Sequence, residues 1–144
     1  MHPETGNRYS NGNTPIYNSR IMKVYVEFLE TRYPDVDIDE ILIYSGVRRI
    51  EVDNPGFWYS QHHADRFHEI VFKKTRNNNI SREAGRYAGS SEALGALKQL
   101  LLGLMDPATN YMLLAKNYPF MSRGARIQSK RLGKTKVEIT ATPN

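Results

Sequence analysis

Apolar residues recur every three to four positions through most of this chain and every two positions near its end. The change of period divides it into a helical body and a terminal hairpin. Ile21, Val24, Tyr25, Phe28 and Leu29 make one stripe of a first helix, capped by Asn18 or Ser19 and stopped at Tyr33-Pro34. Asp37-Ile38-Asp39-Glu40 is a capping-box variant that opens a short helix carrying Ile38, Ile41 and Leu42, and Gly46 closes it. A strong turn signal, Asp53-Asn54-Pro55-Gly56, follows. Ser60 caps the next helix, whose apolar face reads Ala64, Phe67, Val71 and Phe72. Asn77-Asn78-Asn79 breaks it, and a short helix through Ala84 and Tyr87 comes next. Ser90 or Ser91 opens another helix, with Leu94, Leu97, Leu101 and Leu104 along one side. Asp106-Pro107 starts the last, which runs to about Asn117 with Tyr111, Leu114 and Ala115 inward.

After Pro119 the pattern alternates: Arg126 to Leu132 and Lys134 to Thr142 flank Gly133 as two strands, with Ile127 on the face of Val137 or Ile139. The expected fold class is α+β, a mainly helical domain of about five helices with a C-terminal antiparallel β-hairpin. Residues 1–17, rich in Asn, Gly, Pro, Ser and Thr, read as a flexible leader, and 18–144 as one domain. A two-stranded hairpin is marginal by itself, so the expectation is a fragment of a longer chain.

Composition adds two constraints. The 144 residues are 40% apolar and 24% charged, ordinary for one globular domain, and include no cysteine, which excludes disulfides, thiolate nucleophiles and sulfur-ligated zinc. No stretch approaches the ~20 apolar residues that span a bilayer, and the N-terminus lacks the apolar core of a signal peptide, so a cytoplasmic location is expected. The net charge of +5 resides in residues 121–144, where Arg123, Arg126, Lys130, Arg131, Lys134 and Lys136 face the single acid Glu138. The first 120 residues hold fourteen charges of each sign. This basic patch is either a solvated sheet face or a surface for phosphates or an acidic partner.

Motifs for chemistry fail at particular residues. His68-Glu69 opens a zinc-protease helix motif, but Phe72 stands where its second histidine belongs. Asp35, Asp37 and Asp39 alternate as in a calcium loop, yet Glu40 and Gly46 occupy the positions of its glycine and bidentate glutamate. No phosphate-binding loop and no Gly-x-Ser-x-Gly elbow is present. The reading therefore assigns no catalytic residue, no metal ligand and no cofactor. His68 lies in an apolar stripe and reads as a hydrogen-bonded core histidine, with a ligand contact as its alternative; His62 and His63 read as solvated. Phe57-Trp58-Tyr59 either staples the following helix or lines a cavity. Trp58, Tyr59, His68, Arg86 and Tyr111 are the candidate ligand-binding residues.

Five stretches taken in order carry a resemblance: Ile41–Val47, Asp53–Trp58, Asp65–Ile70, Ile80–Tyr87 and Ser90–Leu97. The sequence over about residues 20–142 resembles N-terminal input domains of bacterial multidomain sensors, histidine kinases and cyclase-like proteins among them. It is also similar to the effector-binding half of some AraC-type regulators. The hairpin looks more weakly like vinyl-reductase-like and nitric-oxide-signalling ligand-binding folds. The resemblance implies a non-enzymatic sensory module of a two-component or related pathway. It would bind a small molecule and regulate an output domain of the same polypeptide beyond residue 144, with homodimerisation as a further expectation; it carries over no ligand residue. One alternative is a nucleic-acid-binding regulator, with Asp37 to Gly46 as the first helix of a helix-turn-helix and the hairpin on phosphates. Another is an enzyme with a dispersed site at His68 and Glu69, although neighbours on a helix point about 100° apart.

Overall fold

The structure, a computed structural model, describes residues 12–90 and 106–144. Among the described residues the elements are β1 (Pro15–Asn18), α1 (Ser19–Arg32), α2 (Ile38–Ser45), α3 (Arg49–Asp53), β2 (Trp58–Ser60), α4 (Gln61–Thr75), α5 (Ile80–Ala88), α6 (Pro107–Asn117), a 3-10 turn (Tyr118–Phe120), β3 (Ala125–Arg131) and β4 (Val137–Pro143). The mainly helical α+β expectation holds. The Leu94-to-Leu104 helix lies outside the described residues.

α1 is the central element. It packs on α2, α3 and α5, while α2 packs along α4. Leu29, Ile41 and Val71, one from each of α1, α2 and α4, are fully buried where these helices meet. The caps follow the sequence closely. The Asn18 side chain accepts from the Arg20 amide, the Asp37 carboxylate from the Glu40 amide, and Gly46 adopts φ 74°, the left-handed conformation that costs a glycine nothing. The Asp37 box is half-formed, because the Glu40 carboxylate reaches Lys74 on α4 at 2.6 Å instead of returning to the cap. A small polar network, in which Tyr33 donates to Glu83 and Asn77 donates to both, fastens the end of α1 to α5.

Several expectations are corrected. Residues 15–17 are not leader: Pro15–Asn18 pairs antiparallel with β2, and the bulged Ile16 is buried. The other side of β1 is also occupied, since the Arg123 amide donates to the Ile16 carbonyl and the Asn18 amide to the Met121 carbonyl. This two-sided pairing stitches the hairpin to the body through backbone bonds that a side-chain pattern does not reveal. The segment after Gly46 forms α3, with Arg48 donating from its amide to Glu51. On α4, Ile70 takes the buried place expected for Phe72, which is 50% exposed. Tyr111 on α6 is 49% exposed rather than inward, whereas Ala108 and Ala115 are buried.

The hairpin keeps its expected face. Ile127 lies opposite Ala141 and Ser129 opposite Ile139, so Ile127, Ile139 and Val137 share one side.

Candidate functional site

A cluster of aromatic and polar groups sits between α1, α4 and the β1–β2 ribbon. On α1 the spacing of Ile21, Met22 and Tyr25 sends three side chains toward α4, whose Ala64, Phe67 and His68 answer them. Tyr17 of β1 and Tyr59 of β2 are register partners on one face of the ribbon, their rings 5.7 Å apart, and they close the end. These eight side chains enclose a cavity of about 140 Å³. Ile21, Tyr25 and His68 also belong to a second, wider cavity of about 330 Å³ that runs to Ser81, Ala84, Gly85 and Ala88 of α5 and to Met121. The two lie side by side and share Ile21, Tyr25 and His68 as a common wall, and are taken together as the cleft.

Small residues make the wider part. Ala84, Gly85 and Ala88 line it, and a Cβ added at Gly85 would meet no atom within 4 Å. Polar groups are few. The Tyr25 and Ser81 hydroxyls are 3.3 Å apart, and Tyr17 donates to Gln61 at 2.6 Å. His68 packs one side of its ring against Tyr25, at 5.6 Å, and leaves its outer edge exposed. It makes no hydrogen bond within the described residues, which corrects the expectation of a hydrogen-bonded core histidine. Burial of the ring holds its pKa below the usual imidazole value, with Asp65 opposing. Burial likewise pushes the Tyr25 and Tyr59 phenols up. Every titratable group lining the cleft is therefore neutral near pH 7.

The five candidate ligand residues separate. Tyr59 and His68 meet in the cleft. Trp58, one residue along β2, faces away from it, and the Arg123 guanidinium lies over its indole at 3.8 Å. Arg86 lines a different surface hollow, with Phe28, Arg32 and Tyr33. Tyr111 borders neither part of the cleft. Sequence reasoning missed Tyr17, Tyr25, Ser81 and Gly85. Their one trace in the sequence is the run of small residues Ala84, Gly85 and Ala88, a pattern that serves close helix packing as readily as open space.

His63 is not simply solvated. Its amide approaches the Ser60 hydroxyl, and its Nδ1 lies 2.8 Å from that hydroxyl and 3.3 Å from the Ser60 amide, an imidazole version of the capping box. An Nδ1 that accepts requires the neutral ring, and burial accordingly lowers the His63 pKa, with His62 adding to the effect. Glu69 interacts with the Tyr44 hydroxyl on α2, so it diverges from His68, as adjacent helix positions must.

The six basic residues also divide. Arg123 is committed to Trp58. Arg131 wraps the turn, donating to the Gly133 and Lys134 carbonyls, and lies 3.4 Å from the Asp106 carboxylate. Arg126, Lys130, Lys134 and Lys136 are exposed, with no ion pair among the described residues. The helix-turn-helix alternative loses its second helix, because α3 has five residues, a turn and a half, too short to lie along a groove.

Among the described residues no three His, Asp or Glu side chains are placed to hold a metal ion, and no helix is long and apolar enough to cross a membrane. Comparisons with protein-family models, with curated proteins and with solved structures returned no match to this chain.

Proposed function

We propose that this chain is a non-enzymatic, ligand-binding input module that takes a small, largely apolar molecule into the cleft beside α1. The single observation that carries the reading is the cleft's construction. Two adjacent cavities of about 140 and 330 Å³ are walled mainly by apolar side chains, and His68, whose imidazole has no hydrogen bond among the described residues, lines both. Ligand sites of this kind combine apolar walls with a few fixed polar groups. A fitting ligand has an apolar body and one group that exchanges a hydrogen bond with His68.

Binding alone transmits nothing; the ligand must favour one of two arrangements. The alternation of β2 offers a route. A ligand that displaces Tyr59 from the cleft wall moves Trp58 on the opposite face against Arg123, at the root of the hairpin. An output domain on the same polypeptide, a homodimer and a bacterial signalling setting belong to the same proposal, on the strength of the resemblance in the five stretches named above.

Trp58 is the only tryptophan, so its fluorescence reports on that route. A fragment set of small aromatic and aliphatic alcohols, amides and heterocycles, screened by thermal shift and Trp58 emission, should yield binders. Saturation at a hundredfold the Kd stabilises the fold by about 2.7 kcal/mol. In Gly85→Leu the added side chain fills the wider cavity, while the helix gains up to about 1 kcal/mol of propensity, so the variant folds and binding falls at least tenfold. Fragments that bind Gly85→Leu as well as the parent, or a screen without binders, would sink the reading.

A further inference from the structure

Among the described residues, the β4 edge of the hairpin has no strand beside it. The Leu132 amide donates to the Lys136 carbonyl at the turn, and the Asn144 amide donates to the Gly124 carbonyl at the far end. Stepping two residues at a time between these fixed points makes Glu138, Thr140 and Thr142 the positions bonded to β3. Val137, Ile139 and Ala141 then point their N–H and C=O groups to the opposite edge, where no described residue pairs with them. Their side chains lie on the apolar face, and Ile139 is 48% exposed. Proteins blunt such edges with charges, bulges or proline. Over Val137–Ala141 this strand has none of them except Glu138, and its first proline is Pro143.

We propose that the outer edge of β4 is a docking site for an extended, acidic peptide segment, which adds a third strand to the sheet. The backbone supplies the binding row at Val137, Ile139 and Ala141, and charge selects the occupant. Arg126 and Lys130 on the polar face, with Lys134 and Lys136 in the turn, have no ion pair among the described residues, against the single acid Glu138. A second copy would bring the same four cations up to their own kind. On the polar face the added strand lies beside Glu138, Thr140 and Thr142 of β4 and Lys136 just before it, with Arg126 and Lys130 one strand further in. Glutamates there meet the four cations against one acid, while β-branched residues cover the apolar face.

The test uses the isotopically labelled chain and two capped heptapeptides, one alternating Glu with Val and the other Lys with Val. The expected result is binding of the Glu peptide at least tenfold tighter than the Lys peptide. The amides of Val137, Ile139 and Ala141 gain exchange protection, and those of Glu138 and Thr140, already bonded to β3, do not. Ile139→Pro removes one outward donor without touching the β3 ladder. It should lower affinity at least tenfold while the β3 amides stay protected. Absence of Glu-peptide binding at millimolar concentration overturns the proposal, as does equal binding of the Lys peptide or unchanged binding by Ile139→Pro. Protection of the same three amides that rises with protein concentration alone would assign the edge to a second copy. Salt-sensitive binding of duplex DNA through Arg126 and Lys130, with those amides left unprotected, would assign the surface to nucleic acid.

Discussion

Asn18 is the polar residue on which most of the local structure converges, and its replacement tests the account of how the cleft wall is held. It is 1% exposed. Its Oδ1 accepts from the Arg20 amide at 3.1 Å, and its Nδ2 donates to the Pro55 carbonyl at 3.0 Å. Its backbone amide donates to Met121, and its register partner is Trp58. Asn18→Ala removes the α1 cap, which costs about 0.5–2 kcal/mol. It also leaves the Pro55 carbonyl without its side-chain donor in a half-buried place, which costs about 1–3 kcal/mol. The two effects together come to about 1.5–5 kcal/mol, at most the lower end of the 5–15 kcal/mol total stability typical of a domain, so the variant remains folded.

With a urea m-value of about 2 kcal/mol/M, the unfolding midpoint should fall by about 0.8–2.5 M. Asn18→Ser retains a capping oxygen and loses only the reach to Pro55, so it belongs between the parent and Asn18→Ala. Asn18→Asp also keeps the cap, but it turns the donor into an oxygen facing the Pro55 carbonyl. Near pH 7 it should be at least as destabilised as Asn18→Ala, despite its almost identical shape. Urea titrations followed by far-ultraviolet circular dichroism and by Trp58 emission decide the matter. An Asn18→Ala change under about 0.5 kcal/mol, the level of an ordinary surface substitution, would mean that Asn18 does not hold the ribbon to α1, as would an Asn18→Asp variant as stable as the parent.

Leu29→Ala, at the fully buried junction of α1, α2 and α4, should cost about 2–5 kcal/mol in the same titration, with a surface substitution such as Ile43→Ala as the near-neutral control. Arg123→Ala should change the Trp58 emission spectrum and cost about 0.5–1 kcal/mol, since the stacked pair is partly exposed. His63 and His68 both have folded-state pKa values below the ordinary imidazole value, so the unfolded chain takes up protons first. Their stabilising contribution is present above about pH 6.5 and is lost as the pH falls from there toward the folded values. Thermal midpoints should drop between pH 7 and 5.5, above the range in which carboxylates such as Glu51 titrate, and His63→Gln with His68→Gln should flatten that slope.

The legible parts of this fold are those fixed by interactions close in sequence. Asp37, Gly46, Ser60 and Asp106 each act within three residues of a helix end, and all four do what their spacing requires. The alternation on either side of Gly133 likewise sets which hairpin residues share a face. Errors arose where a distant partner decided. Nothing local to Pro15-Ile16-Tyr17 marks it as a strand; its partners are Trp58–Ser60 and residues 121–123, some forty and one hundred positions away. α3 follows from a salt-bridged cap, Arg48 with Glu51, whose arginine is an unusual capping residue. Periodicity alone places Phe72 and Tyr111 inward, yet both are about half exposed. A stripe fixes the direction of a helix face but not its width, and both fall at the edge of theirs.

The same distinction explains why the cleft was half visible. Tyr59 and His68 attract notice because an aromatic run and a histidine in an apolar stripe are unusual, and the fold brings those two together. Their companions Ile21, Tyr25, Phe67 and Ala84 look like any core residues. What converts them into a cavity wall is an absence, the side chain that Gly85 lacks opposite Ile21 and Val24. A missing volume has no signature in one sequence, because small residues on a helix serve close packing as readily as open space. The outcome depends on helix separation. Here α1 and α5 are fastened by the Tyr33–Asn77–Glu83 network at one end, and Met121 borders the cleft between them. Close packing at Gly85 would require α5 to shift toward α1 and break that network. The polar fastening at one end and the small residues Ala84, Gly85 and Ala88 along the wall therefore bound the space together.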